Sequence, residues 1–383
     1  MDHIAPEADD YLRYGCLPAP AALLAGLAES QRRTLRLFDH FIALGLQMPK
    51  LAIVNPPLWE FGHLAWFHEF WVQRRGDAAR LSCLHDADAL FNSSVVAHDT
   101  RWDLPLPSAP ALRAYLCSVF EHTKQRLSHP AAQPDPADAY FIQLSLFHQD
   151  MHNEAFAYSW QTTGWPWPDD LPPYGHGVSA QLVPCRVDAA DIEVGARCGE
   201  GFVFDNEKWR HRVHVPAFTI DSAPVSNGAY LAFVEGDPEQ RMPRYWRRSG
   251  AQWEQRVRDR WRPLDHDAPV CHVSAVEADA YCAWAGRRLP TEFEWLRFAT
   301  AIAPAQAFAG VWEWTSSLFA PFPGFRADPY ADYSRPWFDG RHRVLKGGSC
   351  WTAPRLRRAG YRNFYLPERG DVFSGFRTCA IDA

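Results

Sequence analysis

Lysine is scarce in this 383-residue chain, confined to Lys50, Lys124, Lys208 and Lys346, and no lysine-rich or arginine-rich face emerges. With a net charge of −6 and a pI near 6.2, the composition argues against a nucleic-acid surface. No apolar run approaches the roughly 18 residues that a bilayer-spanning helix needs. The N-terminal MDHIAPEADD lacks the charged-then-apolar pattern of an export signal. The expectation is a soluble cytoplasmic protein. The nine cysteines are odd in number and include no C-x-x-C pair, so reduced thiols are expected in place of a disulfide framework or a zinc knuckle. Internal repeats and low-complexity tracts are also missing.

What is present is aromatic and proline-rich: 17 Trp, 24 Phe and 31 Pro. Such a chain suits pockets built from irregular segments, which usually take small molecules. Its length favours two domains. Four segments carry apolar residues at three-and-four spacing: LLAGLAESQRRTLRLFDHFIAL, LWEFGHLAWFHEFWVQRR, APALRAYLCSVFEHTKQRL and DAYFIQLSLFHQDMHNEAFAYSWQ. They read as an antiparallel helical bundle over residues 1–163. GWPWPDDLPPYGHG, residues 164–177, cannot continue a helix and is expected to be a linker. Beyond it, over 178–383, strand-like pieces (FTIDSAPVS, APVCHVS, HRVLKGGS, SGFRTCA) mix with two helical ones (AVEADAYCAWAGR, TEFEWLRFATAI) and long loops. The expected fold is therefore two-domain, α followed by α+β.

FHQDMHNEAF raises a metal question. Residues four apart share a helical face, so His148 and His152 can aim at one ion. A solvated pair sharing that face is an equally open reading. Glu154 falls on another face, as a group behind the ligands or a surface charge. A third donor is required, and His63 in LWEFGHLAWFHEF is the best one, because an unpartnered imidazole among large apolar residues would be costly. His68 is held in reserve, with a structural role more plausible. Three neutral imidazoles suit zinc, iron or copper equally.

The order W-x-x-x-H-x-x-W-F, then H-x-x-x-H-x-E, then RLPTEFEW, VWEWTSS, KGGS and RNFYLPERGDVFSGFR resembles the ergothioneine sulfoxide synthase family of non-haem iron enzymes. The resemblance covers essentially the whole chain. It implies a DinB-like four-helix bundle followed by a formylglycine-generating-enzyme-like, C-type-lectin-related domain. It implies an iron(II) site at His63, His148 and His152. There hercynine, dioxygen and a thiol-like partner meet, and a new bond forms at the imidazole ring carbon.

The resemblance also marks departures. Asn363 and Arg369 match the family's second-substrate segment, whereas Phe364 stands for a tryptophan and Tyr365 for an aspartate. Arg101 falls where the family has a carboxylate-binding arginine. Phe319 and Phe322 stand where the family has tyrosines, one supplying a proton and electron and one lining the hercynine pocket; a phenyl ring cannot donate a proton. Tyr365 is a candidate for the lost role; a donor that is easier to oxidise is the alternative. Met151 replaces a glutamine of the hercynine site. NPPLWEFGHLAWF and AHDTRWDLPLPS resemble most closely the selenoneine synthase branch, whose donor is a selenosugar, and Phe364 and Tyr365 suit a sugar better than an acidic clamp would.

Structural readings stand beside these. Thr291 and Glu294 form a capping box by spacing alone. Trp312 and Trp314 are either core or, for Trp314, pocket wall. Gly347 to Ser349 reads as a tight turn, Cys350 as a packed thiol, and Arg355, Arg357 and Arg358 as a solvated face. Two other functions compete: a DinB-like metal-dependent thiol transferase and a non-catalytic lectin-like binding protein.

Overall fold

The computed structural model describes residues 18–129, 134–175, 177, 182–236, 242–304 and 307–381. Its first part is helical: α1 (Pro20–Leu44), α2 (Pro57–His68), a short α3 (Ala87–Phe91), α4 (Ala109–Ser128) and α5 (Pro136–Thr163). The four long helices are those the apolar spacing predicts, and local chemistry sets their ends. Each has proline in its first turn, where the missing N–H is harmless. Ser108 and Asp135 cap α4 and α5 by accepting from Ala111 and Asp138 amides. Gly45 and Gly164 close α1 and α5 in the left-handed region, at φ 61° and 72°. α2 differs, because it runs on into a π-helical turn, Glu69–Gln73.

The segment after α5 is pinned to the bundle. Arg33 donates twice to the Pro172 carbonyl, at 2.7 and 3.1 Å, while Trp165 and Trp167 meet the Trp160 ring edge-on.

The second part mixes sheets and helices. One antiparallel sheet runs β1 (Pro184–Val187), β4 (Phe218–Asp221), β13 (Cys379–Ala380), β8 (Arg287–Arg288). Another runs β11 (Asn363–Tyr365), β10 (Arg343–Gly347), β9 (Trp312–Leu318), β12 (Ser374–Gly375), with β12 parallel to β9. A hairpin, β2 (Ala190–Val194) with β3 (His211–Val215), and a meander, β5 (Trp246–Ser249), β6 (Gln252–Val257), β7 (Arg260–Pro263), complete the strands. Helices α6 (Asn227–Gly236), α7 (Ala275–Ala285) and α8 (Glu292–Arg297) pack among them. The chain is thus a helical domain followed by an α+β domain.

Thr291 and Glu294 do form a reciprocal capping box on α8, so that motif is structural. APVCHVS, expected as a strand, is a correction: beyond an isolated bridge between Ser226 and Pro269 it has no ladder. The reason is His272 at φ 65°, which breaks any extended run there.

α5 joins the two parts. Opposite its histidine face, Glu154 is buried and accepts from Trp312 Nε1 (2.8 Å), Ser349 Oγ (2.5 Å) and Thr352 Oγ1 (2.8 Å). It is neither a surface charge nor a group behind the ligands. Asp150 receives Arg355 Nε at 2.5 Å and Ser30 Oγ at 2.8 Å. The expected solvated arginine face is therefore also wrong. Arg355 bridges Asp150 and Glu29, Arg357 donates to the Thr352 and Cys350 carbonyls, and Arg358 pairs with Glu207. Arginine serves here because its planar fork can satisfy several acceptors at once. Every cysteine among the described residues is a free thiol, and burial pushes Cys350 up to about 12.

Candidate metal centre

α2 contributes His63 and α5 contributes His148 and His152, and one donor nitrogen from each lies within 4.8 Å of the others. The helical spacing explains the second pair; the packing of α2 on α5 brings the first. Each outer histidine is oriented from behind. His63 Nδ1 donates to the Phe91 carbonyl at 2.8 Å, which leaves Nε2 with a lone pair, 3.3 Å from His148 Nε2. His152 Nδ1 meets the buried Glu60 carboxylate at 2.6 Å, which frees its Nε2 in the same way.

The walls are rings. Trp59 lies parallel to His63 (5.1 Å, 6°), and Phe67 lies parallel to His148 (3.6 Å, 6°). Burial first, and the neighbouring His152 second, push His63 and His148 well below the usual imidazole range. They are therefore neutral imidazoles at ordinary pH. Gly62 makes this geometry possible: a Cβ there would lie 2.2 Å from the Phe91 ring, whose residue supplies the carbonyl for His63. Three converging neutral imidazoles, with the opposite ring nitrogens of two of them tied back, fit a divalent transition ion such as iron(II).

His68 lies outside this cluster. Its Nε2 bonds Thr123 Oγ1 at 2.9 Å, and burial pulls it down to about 3, so its role is structural. Arg101 lies beside the centre, its guanidinium 3.9 Å above the Trp59 ring. It donates to Asn55 Oδ1 (2.8 Å) and the Val96 carbonyl (3.2 Å), while its buried Nε has no protein partner.

The other expected site residues divide. Asn363 Oδ1 accepts from the Phe364 amide at 2.9 Å. Arg369 grips Asp371 in a bidentate pair (2.6 and 2.7 Å) and lies 5.0 Å over Tyr365, which burial raises to about 12. Met151 receives the Tyr361 hydroxyl at 3.2 Å and the Tyr333 hydroxyl at 3.8 Å. Phe319 is packed flat against Phe364 (4.0 Å, 12°) in a buried layer, so both rings spend a face on each other. Phe322 lies under the Arg362 guanidinium at 4.1 Å, against His211. Trp314 is fully buried and donates to the Val273 carbonyl at 2.8 Å. Trp314 is core, a correction to its candidacy as pocket wall, and Phe322 packs between the His211 ring and the Arg362 guanidinium.

Several residues escaped sequence reasoning. Glu60 is one, hidden because its partner is remote in the chain. Tyr330 is another, 5.0 Å edge-on to Phe67 and 6.4 Å from His148. Tyr158 lies 5.8 Å beneath Arg369. The phrase DPYADY, in a proline-rich aromatic loop, was the available signal for Tyr330 and Tyr333.

Residues 185–309 match the family described as the sulfatase-modifying factor enzyme 1-like domain. The formylglycine-generating enzyme of Streptomyces coelicolor is 27% identical over 52% of this chain and 88% of its own length. Ergothioneine biosynthesis protein 1 of Schizosaccharomyces pombe is 32% identical over 48% of this chain and 28% of its own length. Hercynine oxygenase of Mycobacterium tuberculosis is 31% identical, with 94% of this chain and 99% of that protein covered. A likeness that spans both the histidine-bearing helices and the α+β part leads to one conclusion: the chain belongs to the hercynine oxygenase family of enzymes.

Proposed function

We propose that this chain joins hercynine oxidatively to a neutral selenosugar through a carbon–selenium bond at the imidazole ring carbon. Iron(II) at His63, His148 and His152 would be the cofactor. The observation that carries the reading is the convergence of those three ring nitrogens within 4.8 Å of one another, in a chain of this family. Iron(II) bound there supplies one-electron chemistry with dioxygen and open positions for substrate atoms.

The chain's own residues do the rest. Glu60 and the Phe91 carbonyl hold protons on the rear nitrogens of His152 and His63 and so keep the front ones available. Trp59 and Phe67 exclude water from the rings they cover. Arg101 supplies a half-buried cation, and its buried, unpartnered Nε is a donor for a substrate carboxylate. Orienting both substrates there replaces a multi-body encounter by a positioned one.

What supports this donor class is the 363–371 segment. No acidic side chain stands at position 365, and Arg369 is already neutralised by Asp371. That pairing leaves no net charge for an amino-acid zwitterion, whereas Tyr365 offers a ring face and a hydroxyl. The sulfur alternative, cysteine or γ-glutamylcysteine as donor, is favoured by the relative named for ergothioneine biosynthesis.

The test is to load the protein with iron anaerobically, add hercynine and air, and offer a selenosugar, cysteine and γ-glutamylcysteine in parallel, with products identified by mass. A hercynine–selenosugar adduct is expected. Adducts from the sulfur donors alone would replace selenium by sulfur. No consumption of hercynine with any donor would remove the function.

A further inference from the structure

Tyr158 lies on α5 seven residues after Met151, close to two helical turns, so the two share a face with His148 and His152. The helix rises roughly 9 Å from His152 to Tyr158. Ala155, between them on that face, ends at its Cβ, so no long side chain of α5 stands in the way. Between residues 153 and 160, Tyr158 is the one side chain of α5 that is not buried.

The same tyrosine borders the 363–371 segment. The Arg369 guanidinium lies 5.8 Å from the centre of the Tyr158 ring and 5.0 Å from that of Tyr365, so it links the two rings. Its Nε and one Nη are spent on Asp371, at 2.6 and 2.7 Å, which leaves a neutral pair there. Towards the metal centre, the Glu60 carboxylate behind His152 is within electrostatic reach of the Tyr158 phenol. Tyr158 therefore stands between the histidines and the segment that favours a neutral donor.

Its hydroxyl makes no hydrogen bond to protein among the described residues. Burial, reinforced by the neighbouring Tyr365, holds that phenol well above its ordinary range, so it keeps its proton. A protonated phenol can both donate and accept, which matches the hydrogen-bonding pattern of a sugar hydroxyl. The balanced Arg369–Asp371 pair beside it offers no net counter-charge to an amino-acid carboxylate.

We propose that Tyr158 is a specificity-determining residue for the second substrate, hydrogen-bonding a hydroxyl of its neutral polyhydroxylated body while Tyr365 meets the same body from the other side of Arg369. This rests on the neutral-donor reading above. The route from that body to the histidines runs along the α5 face past Ala155. Its length, roughly 9 Å, is one that a monosaccharide and a hydrogen bond can bridge.

The test compares the wild type with Tyr158→Phe, which keeps the ring and removes only the hydroxyl. The probe is methyl 1-thio-β-D-glucopyranoside, neutral and unreactive, titrated by calorimetry into the intact iron-loaded protein under nitrogen. Hercynine is titrated into the same samples, and the KM for a selenosugar is measured in air. The expected result is saturable thioglycoside binding that Tyr158→Phe weakens about tenfold, or ~1.4 kcal/mol, with the selenosugar KM rising by a similar factor. Hercynine affinity and iron content should match the wild type, which also reports that the variant folds. No saturable thioglycoside binding to the wild type, equal affinity in the variant, a loss confined to kcat, or an equal loss of hercynine affinity would each overturn the role given to Tyr158. A wild type that consumes no hercynine with any donor would instead sink the proposed function, and the thioglycoside titration alone would then decide on Tyr158.

Discussion

Glu60 holds Nδ1 of His152 at 2.6 Å across 92 residues of chain, from inside the bundle and with no arginine or lysine hydrogen-bonded to it among the described residues. A buried carboxylate is normally paired with a cation. Here the hydrogen-bonded partner is an imidazole whose other nitrogen faces two more, with the Arg101 guanidinium within electrostatic reach of the carboxylate.

Replacing Glu60 by Gln keeps a hydrogen-bonding oxygen but removes the charge. Iron affinity should fall by roughly 10- to 100-fold, the usual effect of losing a carboxylate behind a histidine ligand. Competition with a chelator of known affinity, at unchanged circular dichroism, measures it. Undiminished affinity would make the Glu60–His152 contact purely structural.

His152→Ala removes one of three converging donors and leaves Glu60 without its partner. Iron binding and turnover should be lost together, read by metal analysis after dialysis and by hercynine consumption. Iron-dependent turnover that survives would take this histidine out of the site.

Gly62→Ala acts on the same centre through packing. Its new Cβ would meet the Phe91 ring at 2.2 Å, so α3 must shift and draw the Phe91 carbonyl from His63. Overpacking of this kind costs about 1–3 kcal/mol. A lower melting temperature together with weaker iron binding is expected; a drop in stability with full metal affinity would separate α3 from the site.

Asp205 offers a pH test. Burial raises its carboxyl from 3.8 to about 7, Ser334 bonding opposes this, and the Asp328 carboxylate adds to it. Between about pH 4 and 7 the folded chain keeps a proton that the unfolded chain has released, so stability contributed by this group falls as pH rises through that window. Asp205→Asn, neutral throughout, should flatten the decline in thermal melts from pH 5 to 8. On the acid side the sign reverses. His68, lowered from 6.5 to about 3, stays neutral when folded, so its contribution is lost as pH falls below about 6.5.

The helices and two of the three candidate donors were legible because both follow short-range rules. Three-and-four apolar spacing marks a buried stripe, prolines and glycines mark its ends, and the four-residue step from His148 to His152 fixes a shared face without knowledge of any neighbour. His63 was legible through the cost of leaving it alone among aromatics. The Thr291–Glu294 box was legible because a cap is local.

What local pattern could not show was which groups meet across the chain. Arg355, Arg357 and Arg358 look solvated in a row of charges, yet Arg355 finds Asp150 and Glu29 on other helices. Phe319 stands by position for a proton-supplying tyrosine of the family and Phe364 for a tryptophan of its second-substrate segment, yet the two stack on one another. The sequence by itself determined a helical bundle with one histidine pair on a single face and an aromatic, proline-broken second part. Only the tertiary structure decided that Glu60 orients His152, that Glu154 ties α5 to the second domain, and that Tyr330 stands edge-on to Phe67 beside His148. Side-chain spacing within a helix is set by backbone geometry, whereas contacts between distant segments depend on how whole elements pack.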